Sequence, residues 1–317
     1  IFLEDFELFG NVDQAQNFLE SVKSGRFLYS FVMSYTETCE IPGITIAGAD
    51  INSMQYTPPA DAEYLHYGFC KTIDNIPMTP DGKPTPGLLT KTALESASIP
   101  HLTINAGSKI APQLPFIETG LSFGKNISVE PAMTDSEVSS AVEFGRIVGR
   151  NMASLTDCLV IGESIPAGTT TALAVLRAFD YDAKVSSSIP TNPTKLKNEV
   201  VDSALQRINS DHPYSILAKV GDPMIAFVAG MLSSASAVSK VMLAGGTQMT
   251  AVLAFASKIG FNEENTAIGT TSYITNDQNA NFTNLIEQIG DIPAISVNPG
   301  LNNSKYPGLQ AFSEGFA

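Results

Sequence analysis

The sequence predicts an α/β protein with a Rossmann-like parallel sheet that carries helices on both faces. From residue 100 onward, short apolar stretches alternate with helical patterns, which is the order that βαβ crossovers produce. Four of these apolar stretches end in segments rich in Gly, Thr, Ser or Asn. In a parallel sheet such ends meet at one edge, where ligands bind. The four segments are 105–107, 162–171, 244–248 and 269–272.

The first hundred residues are expected to be less regular. Their patterns predict a helix over 15–23, strands over 28–33 and around 63–69, and a helix that begins near Leu88. Pro and Gly are frequent between residues 41 and 92. Long loops of this composition are uncommon unless they serve binding.

The regular part of the chain predicts one element after another. Thr134 and Glu137 form a capping-box pattern at the start of the first long helix. A strand, a Gly-rich loop and a helix are expected over 158–179. Further strands are expected at 101–105, 241–243, 266–269 and 294–297, and further helices at 135–151, 195–209, 223–239, 249–259 and 281–288.

The composition excludes several classes of function. The net charge of −14 and the pI near 4.6 argue against a nucleic-acid partner, which needs a basic surface. Three cysteines and three histidines at unsuitable spacings predict neither a disulfide framework nor a metal site, and no cofactor is expected. No apolar run approaches the roughly 20 residues of a membrane span, and the acidic first residues do not resemble a secretory signal. We therefore expect a cytoplasmic protein without a membrane partner.

The segment 158–172, C-L-V-I-G-E-S-I-P-A-G-T-T-T-A, carries the strongest functional signal. It reads as a buried strand, a turn with one carboxylate at Glu163, and a helix that begins with three threonines. Free backbone N–H groups and the helix dipole make such a place an anion site, which indicates a phosphorylated substrate. The alternative is an ordinary capped βα turn, because Thr is a common N-cap residue. Neither the G-x-x-x-x-G-K-[ST] phosphate loop nor the G-x-G-x-x-G dinucleotide pattern is present.

Motifs along nearly the whole chain resemble one family, the archaeal and cyanobacterial branch of the nicotinate-nucleotide:dimethylbenzimidazole phosphoribosyltransferases. The motifs are Y-T-P-P-A-D-A-E (56–63), P-T-P (84–86), N-A-G (105–107), G-E-S-I-P-A-G-T-T-T-A (162–172), V-G-D-P-M-I-A-F-V-A-G (220–230), L-A-G-G-T-Q-M (243–249) and A-I-G-T-T (267–271). The bacterial enzymes share chiefly a G-E-x-x-x-G-[NT]-T-T loop.

The resemblance implies a large Rossmann-like α/β domain and a smaller helical domain built from the chain ends, usually as a homodimer. It divides the chain into 1–40 (smaller domain and first strand), 41–99 (loop-bearing segment), 100–300 (α/β core) and 301–317 (return to the smaller domain). The implied reaction transfers a 5-phosphoribosyl group from nicotinate mononucleotide to a benzimidazole-type base, for the lower ligand of cobamides. The product is an α-ribazole phosphate, with nicotinate released. Two alternatives stay open: a non-catalytic nucleotide-binding relative, and a phosphoribosyltransferase that uses a purine base.

The resemblance also implies the site residues. Glu163 would stabilise the oxocarbenium-like ribose or orient it. The phosphate would be held by Gly168, Thr169, Thr170 and Thr171, which fixes the reacting carbon. Further substrate-binding residues would be Gly245, Gly246, Thr247, Asn105, Gly107 and Asp222. For the paired glycines, a tight turn is an equally good explanation.

Some positions depart from the family pattern. Met224 stands near the place where the bacterial enzymes carry a carboxylate, with Asp222 as a possible substitute. The family's general base is a glutamate in a Gly-rich segment near the C-terminus. We expect it beyond Ala317, so that Glu314 is not the base.

Other polar residues have weaker functional support. Asp61 and Glu63 are expected to be solvated loop carboxylates, with ribose binding as the alternative. His66 and His101 are expected to be core or rim residues. Lys109 could neutralise a phosphate or be an ordinary surface lysine.

Overall fold

A single sheet forms the centre of the molecule. In the computed structural model, which describes residues 6–48, 50–79, 82–187, 189 and 191–314, eight strands lie in the order β1-β8-β7-β6-β5-β2-β3-β4. All neighbouring strands are parallel except β1, which pairs antiparallel with β8. The strands are β1 Phe6–Phe9, β2 Phe27–Met33, β3 His101–Asn105, β4 Ile117–Glu118, β5 Cys158–Ser164, β6 Lys240–Ala244, β7 Thr266–Thr271 and β8 Ala294–Val297.

Helices cover both faces of this sheet. They are α1 Val12–Val22, α2 Thr57–Tyr67, α3 Gly87–Ser96, α4 Asp135–Ala153, α5 Gly168–Ala178, α6 Thr194–Leu205, α7 Pro213–Val220, α8 Pro223–Ala235, α9 Thr247–Ile259, α10 Ser272–Thr275, α11 Phe282–Ile289 and α12 Pro307–Ser313. Successive residues of β5 alternate between the two faces: Cys158 packs with α1, whereas Leu159 and Ile161 join the larger core with α4, α5, α8 and α9. The predicted Rossmann-like sheet with helices on both faces is confirmed.

The strand predicted at 63–69 is wrong, because these residues belong to α2 and its C-terminal turn. Pro58 and Pro59 lie in the first turn of α2, where proline is well tolerated. Eight consecutive residues of α2, from Pro58 to Leu65, are buried. A helix that is buried all round has no polar face, so its sequence lacks the 3.6-residue alternation that identifies an amphipathic helix.

Several smaller differences concern element ends and short elements. β5 does not stop at Gly162 but continues through Ser164, and a Cβ atom at Gly162 would lie 2.1 Å from the Tyr29 hydroxyl. The sequence did not indicate β1, β4 or α7. Within the first 40 residues, β1 and β2 both belong to the central sheet. The division of the chain into the segments 1–40, 41–99, 100–300 and 301–317 stays a prediction. No helix among the described residues is long and apolar enough to cross a membrane.

Helices α4 and α8 pack closely because glycines line their contact. A Cβ atom at Gly145 would lie 2.1 Å from the Phe227 carbonyl oxygen, and one at Gly230 would lie 2.3 Å from the Val142 carbonyl oxygen. Both distances are far inside van der Waals contact. The spacing between these helices therefore depends on the absence of side chains at these positions.

We expect Gly145→Ala to lower the free energy of unfolding by about 2 kcal/mol, because overpacking outweighs the better helix propensity of alanine. Chemical denaturation followed by circular dichroism measures this change. Gly290→Ala is the matched control, since nothing lies within 4 Å of its Cβ position. Equal stability of the two variants would show that α4 and α8 can move apart without cost.

Candidate functional site

The candidate site lies where the chain order of the sheet reverses. β2 has β3 on one side and β5 on the other, so the connections leave this point in opposite directions. Met33 and Ser164 are register partners at the carboxyl ends of the two strands, and the Ser34 N–H donates to the Ser164 carbonyl oxygen (3.0 Å). Ligands of open α/β sheets bind at such a switch point.

The turn between β5 and α5 has the strand–loop–helix form that the sequence predicts. Ala167, directly before α5, has a left-handed backbone with a φ of 61°, which is unusual for a residue with a side chain. No side chain caps the first turn of α5. Gly168 is required sterically, because a Cβ atom there would lie 2.6 Å from Ile165 and 2.7 Å from Gln248 Nε2.

The three threonines at the start of α5 have different surroundings. Thr169 is partly exposed, and its hydroxyl accepts a hydrogen bond from Lys197 Nζ (3.0 Å). Thr170 is buried, and its hydroxyl has no hydrogen-bond partner among the described residues. The buried Thr171 hydroxyl donates to Asp222 Oδ2 (2.5 Å). Of the three hydroxyl groups, that of Thr169 is therefore the best placed for an incoming ligand.

Lys197 is the residue of this site that sequence reasoning missed. Its side chain is 1% exposed, and Nζ donates to Thr169 Oγ1 and to the Ser186 carbonyl oxygen, both at 3.0 Å. No carboxylate of the described residues lies within ion-pair distance of this ammonium group. Burial lowers the pKa of Lys197 to about 8, and the charge of Asp277 opposes that shift. A buried cation without an anionic partner is costly, and a bound anion would relieve that cost.

A signal for Lys197 was present in the sequence. Within α6 it falls on the same helix face as the buried residues Val200, Val201 and Ala204, at spacings of three, four and seven. A lysine in an apolar stripe is the exception to the usual exposure of this residue type. Such a position indicates either a long side chain that reaches solvent or a buried functional cation.

Three buried or half-buried carboxyl groups surround the end of β5. Burial, and next the charge of Asp222, raises the pKa of Glu163 to about 8, and Asp61 acts in the same direction. Burial also raises the pKa values of Asp61 and Asp222 to about 6. At neutral pH most Glu163 side chains are therefore protonated in the free protein, whereas the other two carboxyl groups are mostly ionised.

Asp222 joins the N-termini of two helices. Its Oδ1 accepts the Ile225 N–H at the start of α8 (2.9 Å), while Oδ2 accepts the Thr171 hydroxyl of α5. The residue is completely buried. Each carboxylate oxygen thus accepts a hydrogen bond from the protein, and a role of Asp222 in substrate binding stays a prediction.

Asp61 and Glu63 are not solvated loop carboxylates, which corrects the sequence-based expectation. Both are buried in α2. Asp61 accepts from the Thr85 hydroxyl (2.7 Å) and the Ser164 hydroxyl (2.9 Å), so it fixes the residue next to Glu163. Glu63 accepts the N–H groups of residues 71 and 72 and of Gln113 (2.5, 2.8 and 2.7 Å), which fastens two loops to α2.

The paired glycines Gly245 and Gly246 follow β6, the strand next to β5 in the sheet, and their role in substrate binding stays a prediction. The Gly245 N–H donates to the Gly269 carbonyl oxygen (3.0 Å), and Gly246 directly precedes α9. Thr247 is buried, and its hydroxyl lies 3.0 Å from the Ser186 hydroxyl. Lys197 donates both to the Ser186 carbonyl oxygen and to the Thr169 hydroxyl. Hydrogen bonds therefore connect the segment after β6 with the start of α5.

Asn105 and Gly107 have local structural contacts. The Asn105 side chain donates to Glu118 Oε2 (2.9 Å) and accepts the Ser108 N–H (2.8 Å). Gly107 has a φ of 89°, and a Cβ atom there would lie 2.5 Å from the Ser122 carbonyl oxygen. These contacts shape the turn after β3, and a role of either residue in substrate binding stays a prediction.

The histidines and Lys109 lie in other surroundings. His66 and His101 contact each other edge to face at 5.8 Å, and burial lowers the pKa of His101. Lys109 is neither an ordinary surface lysine nor free to bind a phosphate. It lies 2.7 Å from Glu40 and 3.4 Å from Glu37. Among the described residues no group of three or more His, Cys, Asp or Glu side chains could hold a metal ion.

A polar cavity of about 430 Å³ opens at the same edge of the sheet. It lies between the segment at Ser186 and the residues that follow β7 and β8. Five asparagines and four serines line it, together with the acidic residues Asp277 and Glu314, and no lysine or arginine of the described residues does. The cavity is large enough for a small heteroaromatic ligand and offers it mainly hydrogen-bonding groups.

Comparisons with known proteins agree with this geometry. A family model described as "Phosphoribosyltransferase" matches residues 101–273, which include Glu163, α5, Lys197 and the glycines after β6. The "UPF0284 protein" of Archaeoglobus fulgidus is 45% identical over 292 residues, 92% of this chain and 84% of that protein. The protein of that name from Sulfurisphaera tokodaii is 41% identical over 297 residues, 93% of this chain and 85% of the relative.

Two solved structures from Thermus thermophilus share the fold. The nicotinate-nucleotide-dimethylbenzimidazole phosphoribosyltransferase superposes with a TM-score of 0.63 at 18% identity and covers 84% of this chain and 73% of its own. The structure called CobT gives a TM-score of 0.62 at 16% identity, with coverage of 88% and 87%. At these identities the likeness shows the architecture and leaves the substrates to be argued from the site.

Proposed function

Because this chain belongs to the phosphoribosyltransferase family, we propose that it transfers a 5-phosphoribosyl group from nicotinate mononucleotide to a benzimidazole-type base, releasing nicotinate. Membership makes the chain a glycosyltransferase-type enzyme. The observation that carries the proposed donor is Lys197, a buried cation at the uncapped start of α5. A phosphate at this place would supply the missing negative charge.

The donor would be anchored through its 5′-phosphate. Lys197 Nζ and the Thr169 hydroxyl would donate to phosphate oxygens, and the α5 dipole would favour the negative charge. Anchoring at this end fixes the ribose between α5 and the end of β5. The reacting C1′ carbon then lies at a defined place relative to Glu163, which lowers the entropic cost of reaction.

Glu163 would act on the charge that develops during transfer. A ring nitrogen of the acceptor donates its lone pair to C1′, while the bond to nicotinate breaks and its electron pair returns to the pyridine nitrogen. Positive charge builds on the ribose between these events, and an ionised Glu163 would stabilise it. The same positive charge lowers the pKa of Glu163 and so favours the ionised form. The proton that the acceptor loses goes to a general base.

A purine acceptor is the second candidate, and the polar cavity favours it. The asparagines and serines of the cavity, with Asp277 and Glu314, would form hydrogen bonds with the amino group and ring nitrogens of adenine. They would offer less to the two methyl groups of 5,6-dimethylbenzimidazole. A benzimidazole would gain few apolar contacts on this lining. The cavity therefore makes the identity of the acceptor a question for direct competition between bases.

The assay follows nicotinate release and ribotide formation by mass spectrometry. The protein is incubated with nicotinate mononucleotide and with 5,6-dimethylbenzimidazole, adenine or both. A ribotide of either base supports phosphoribosyl transfer, and the ratio in the mixed reaction identifies the preferred acceptor. Binding of the mononucleotide without any product would favour a non-catalytic nucleotide-binding relative instead.

We expect kcat/KM for the mononucleotide to follow a bell-shaped pH profile with its maximum near pH 8. Glu163 must lose its proton, so the rate rises with pH through the pKa near 8. Lys197 must keep its proton, so the rate falls as pH rises above its pKa, also near 8. Initial rates between pH 6 and 10 measure the profile. A rate that is constant over this range would contradict both assignments.

Cellular location and subunit number belong to the same proposal. Cys39, Cys70 and Cys158 are all free thiols, which suits a reducing cytoplasm. We further propose a homodimer, as the family resemblance implies.

A further inference from the structure

Gln248 is the second residue of α9, and its amide group lies beside Glu163. Successive residues of β5 alternate between the faces of the sheet, so Glu163 shares the face of Leu159 and Ile161. Helices α5, α8 and α9 cover this face, and α9 packs against the other two. The Gln248 amide opposes the rise in the pKa of Glu163, so it acts on the carboxyl group from this face.

Gly168 makes room for the Gln248 side chain. A Cβ atom at Gly168 would lie 2.7 Å from Gln248 Nε2 and 3.0 Å from Gln248 Cδ. The same Cβ atom would lie 2.6 Å from Ile165 Cγ2. The amide group is therefore packed against the turn that joins β5 to α5, the turn that follows Glu163 in the chain.

The amide nitrogen of Gln248 is a buried donor without an acceptor. Nε2 has no hydrogen-bond partner among the described residues. Such a group destabilises a protein, because it has lost its hydrogen bonds to water and gained none. Glu163 is mostly protonated in the free protein at neutral pH, and a neutral carboxyl group is a weaker acceptor than a carboxylate. Ionisation of Glu163 would supply the strong acceptor that Nε2 lacks.

The titratable groups that face Glu163 do not favour its ionised form. Asp222 at the start of α8 and Asp61 of α2 raise its pKa through their negative charge. The Tyr29 hydroxyl of β2 is uncharged, because burial raises the pKa of Tyr29. The first turns of α5 and α9 carry no titratable side chain. The amide of Gln248 is thus the neighbouring side chain placed to stabilise the negative charge.

We propose that Gln248 is the positioning residue of Glu163: when Glu163 releases its proton to solvent, Nε2 donates a hydrogen bond to the carboxylate and holds it towards the ribose of the donor. The part that concerns the ribose rests on the proposed transfer reaction, whereas the hydrogen bond belongs to the ligand-free protein. An interaction that strengthens only as charge develops stabilises the transition state more than the ground state. Gln248 would therefore contribute to kcat and little to donor binding.

Titration of Glu163 in the ligand-free protein tests the hydrogen bond. The protein is labelled with ¹³C at its glutamate carboxyl carbons and followed by NMR, and the resonance that is absent from Glu163→Gln identifies Glu163. Gln248→Met removes the donor at similar volume and should raise the measured pKa of Glu163 by about one, a tenfold change in its ionisation equilibrium. Gln248→Glu should raise it further, because a second carboxylate would face the first.

The order of these two variants distinguishes hydrogen bonding from packing. Glutamate resembles glutamine in shape more closely than methionine does, so a packing role predicts the smaller effect for Gln248→Glu. The matched control is Gln16→Met, which alters an exposed glutamine of α1 on the opposite face of the sheet. It should leave the pKa of Glu163 unchanged. Circular dichroism verifies that each variant is folded.

The role in the reaction is tested by the pH profile. In Gln248→Met the rising limb of kcat/KM should move to higher pH with the pKa measured by NMR. The rate at pH 7 should then fall about tenfold, while the KM for nicotinate mononucleotide stays within about threefold. The control Gln16→Met should keep the wild-type profile.

Three results would overturn the proposal: an unchanged pKa of Glu163 in Gln248→Met, a smaller rise in Gln248→Glu than in Gln248→Met, or a raised pKa without movement of the rising limb. If the wild type transferred a phosphoribosyl group to none of the bases, the proposed reaction would fail. The NMR titration would still decide whether Gln248 stabilises the ionised Glu163, because it requires no substrate.

Discussion

Glu163→Gln is expected to reduce kcat by roughly 10²–10³-fold while leaving the KM for nicotinate mononucleotide within about threefold. A loss of this size is typical when one group that stabilises transition-state charge is removed. The amide has the shape of the carboxyl group but cannot become negative as positive charge builds on the ribose. The phosphate contacts at α5 do not involve Glu163, so binding of the donor should survive.

The same variant distinguishes an electrostatic role from a structural one. In the free protein at neutral pH Glu163 is mostly protonated, so glutamine resembles the resting state and should not destabilise the fold. The rising limb of the pH profile should disappear, while the falling limb assigned to Lys197 should remain. Single-turnover rates and thermal denaturation measure the two effects. Unchanged kcat would remove Glu163 from the mechanism, and a marked loss of stability would make the residue structural.

Asp222→Asn is not an equivalent control, because its carboxylate accepts hydrogen bonds from both the Thr171 hydroxyl and the Ile225 N–H. An amide nitrogen in place of either oxygen would put two donors face to face in a buried place. Glu199→Gln is a better control. This carboxylate lies on α6, where its side chain is 61% exposed. Its substitution should leave kcat unchanged within about twofold.

The sequence predicted the parts of this molecule that follow from local patterns. The strands β3, β5, β6, β7 and β8 and most of the helices between them could be predicted because each has its own apolar period, whereas the short elements β4, α7 and α10 could not. The Thr134–Glu137 capping box is present as expected. Glu163 could be singled out because a strand, a turn and a helix surround it within twenty residues. Such features depend on neighbours in the chain.

The remaining parts depend on contacts between distant segments. Lys197 meets Thr169 across 28 residues, and Asp222 meets Thr171 across 51, so neither pairing has a local signature. The sequence predicts a solvated loop around Asp61 because α2, buried all round, lacks an amphipathic pattern. In the folded protein, burial shifts the pKa values of these charged groups. Burial depends on contacts between distant parts of the chain, which the local sequence does not show.

Lys197→Met is expected to raise the KM for nicotinate mononucleotide by about 100-fold with a smaller effect on kcat. Losing a desolvated, charge-assisted contact to a phosphate costs affinity for the donor, whereas the reacting atoms keep their surroundings. Methionine has nearly the volume of lysine and needs no anion. We therefore expect the ligand-free protein to keep its stability, because the cost of a buried charge disappears with it.

Two comparisons make this expectation specific to the phosphate. Lys195→Met changes a lysine two residues earlier in α6 whose side chain is 93% exposed, and it should leave the KM unchanged. Nicotinate riboside, the same donor without its phosphate, should react equally slowly with the wild type and with Lys197→Met. If the variant lost activity equally towards both donors, the lysine would be positioning the cleft, and the 5′-phosphate would need another partner. A selective loss towards the mononucleotide would assign the buried cation to the phosphate. That result would also explain why an otherwise apolar helix face carries the cost of a lysine.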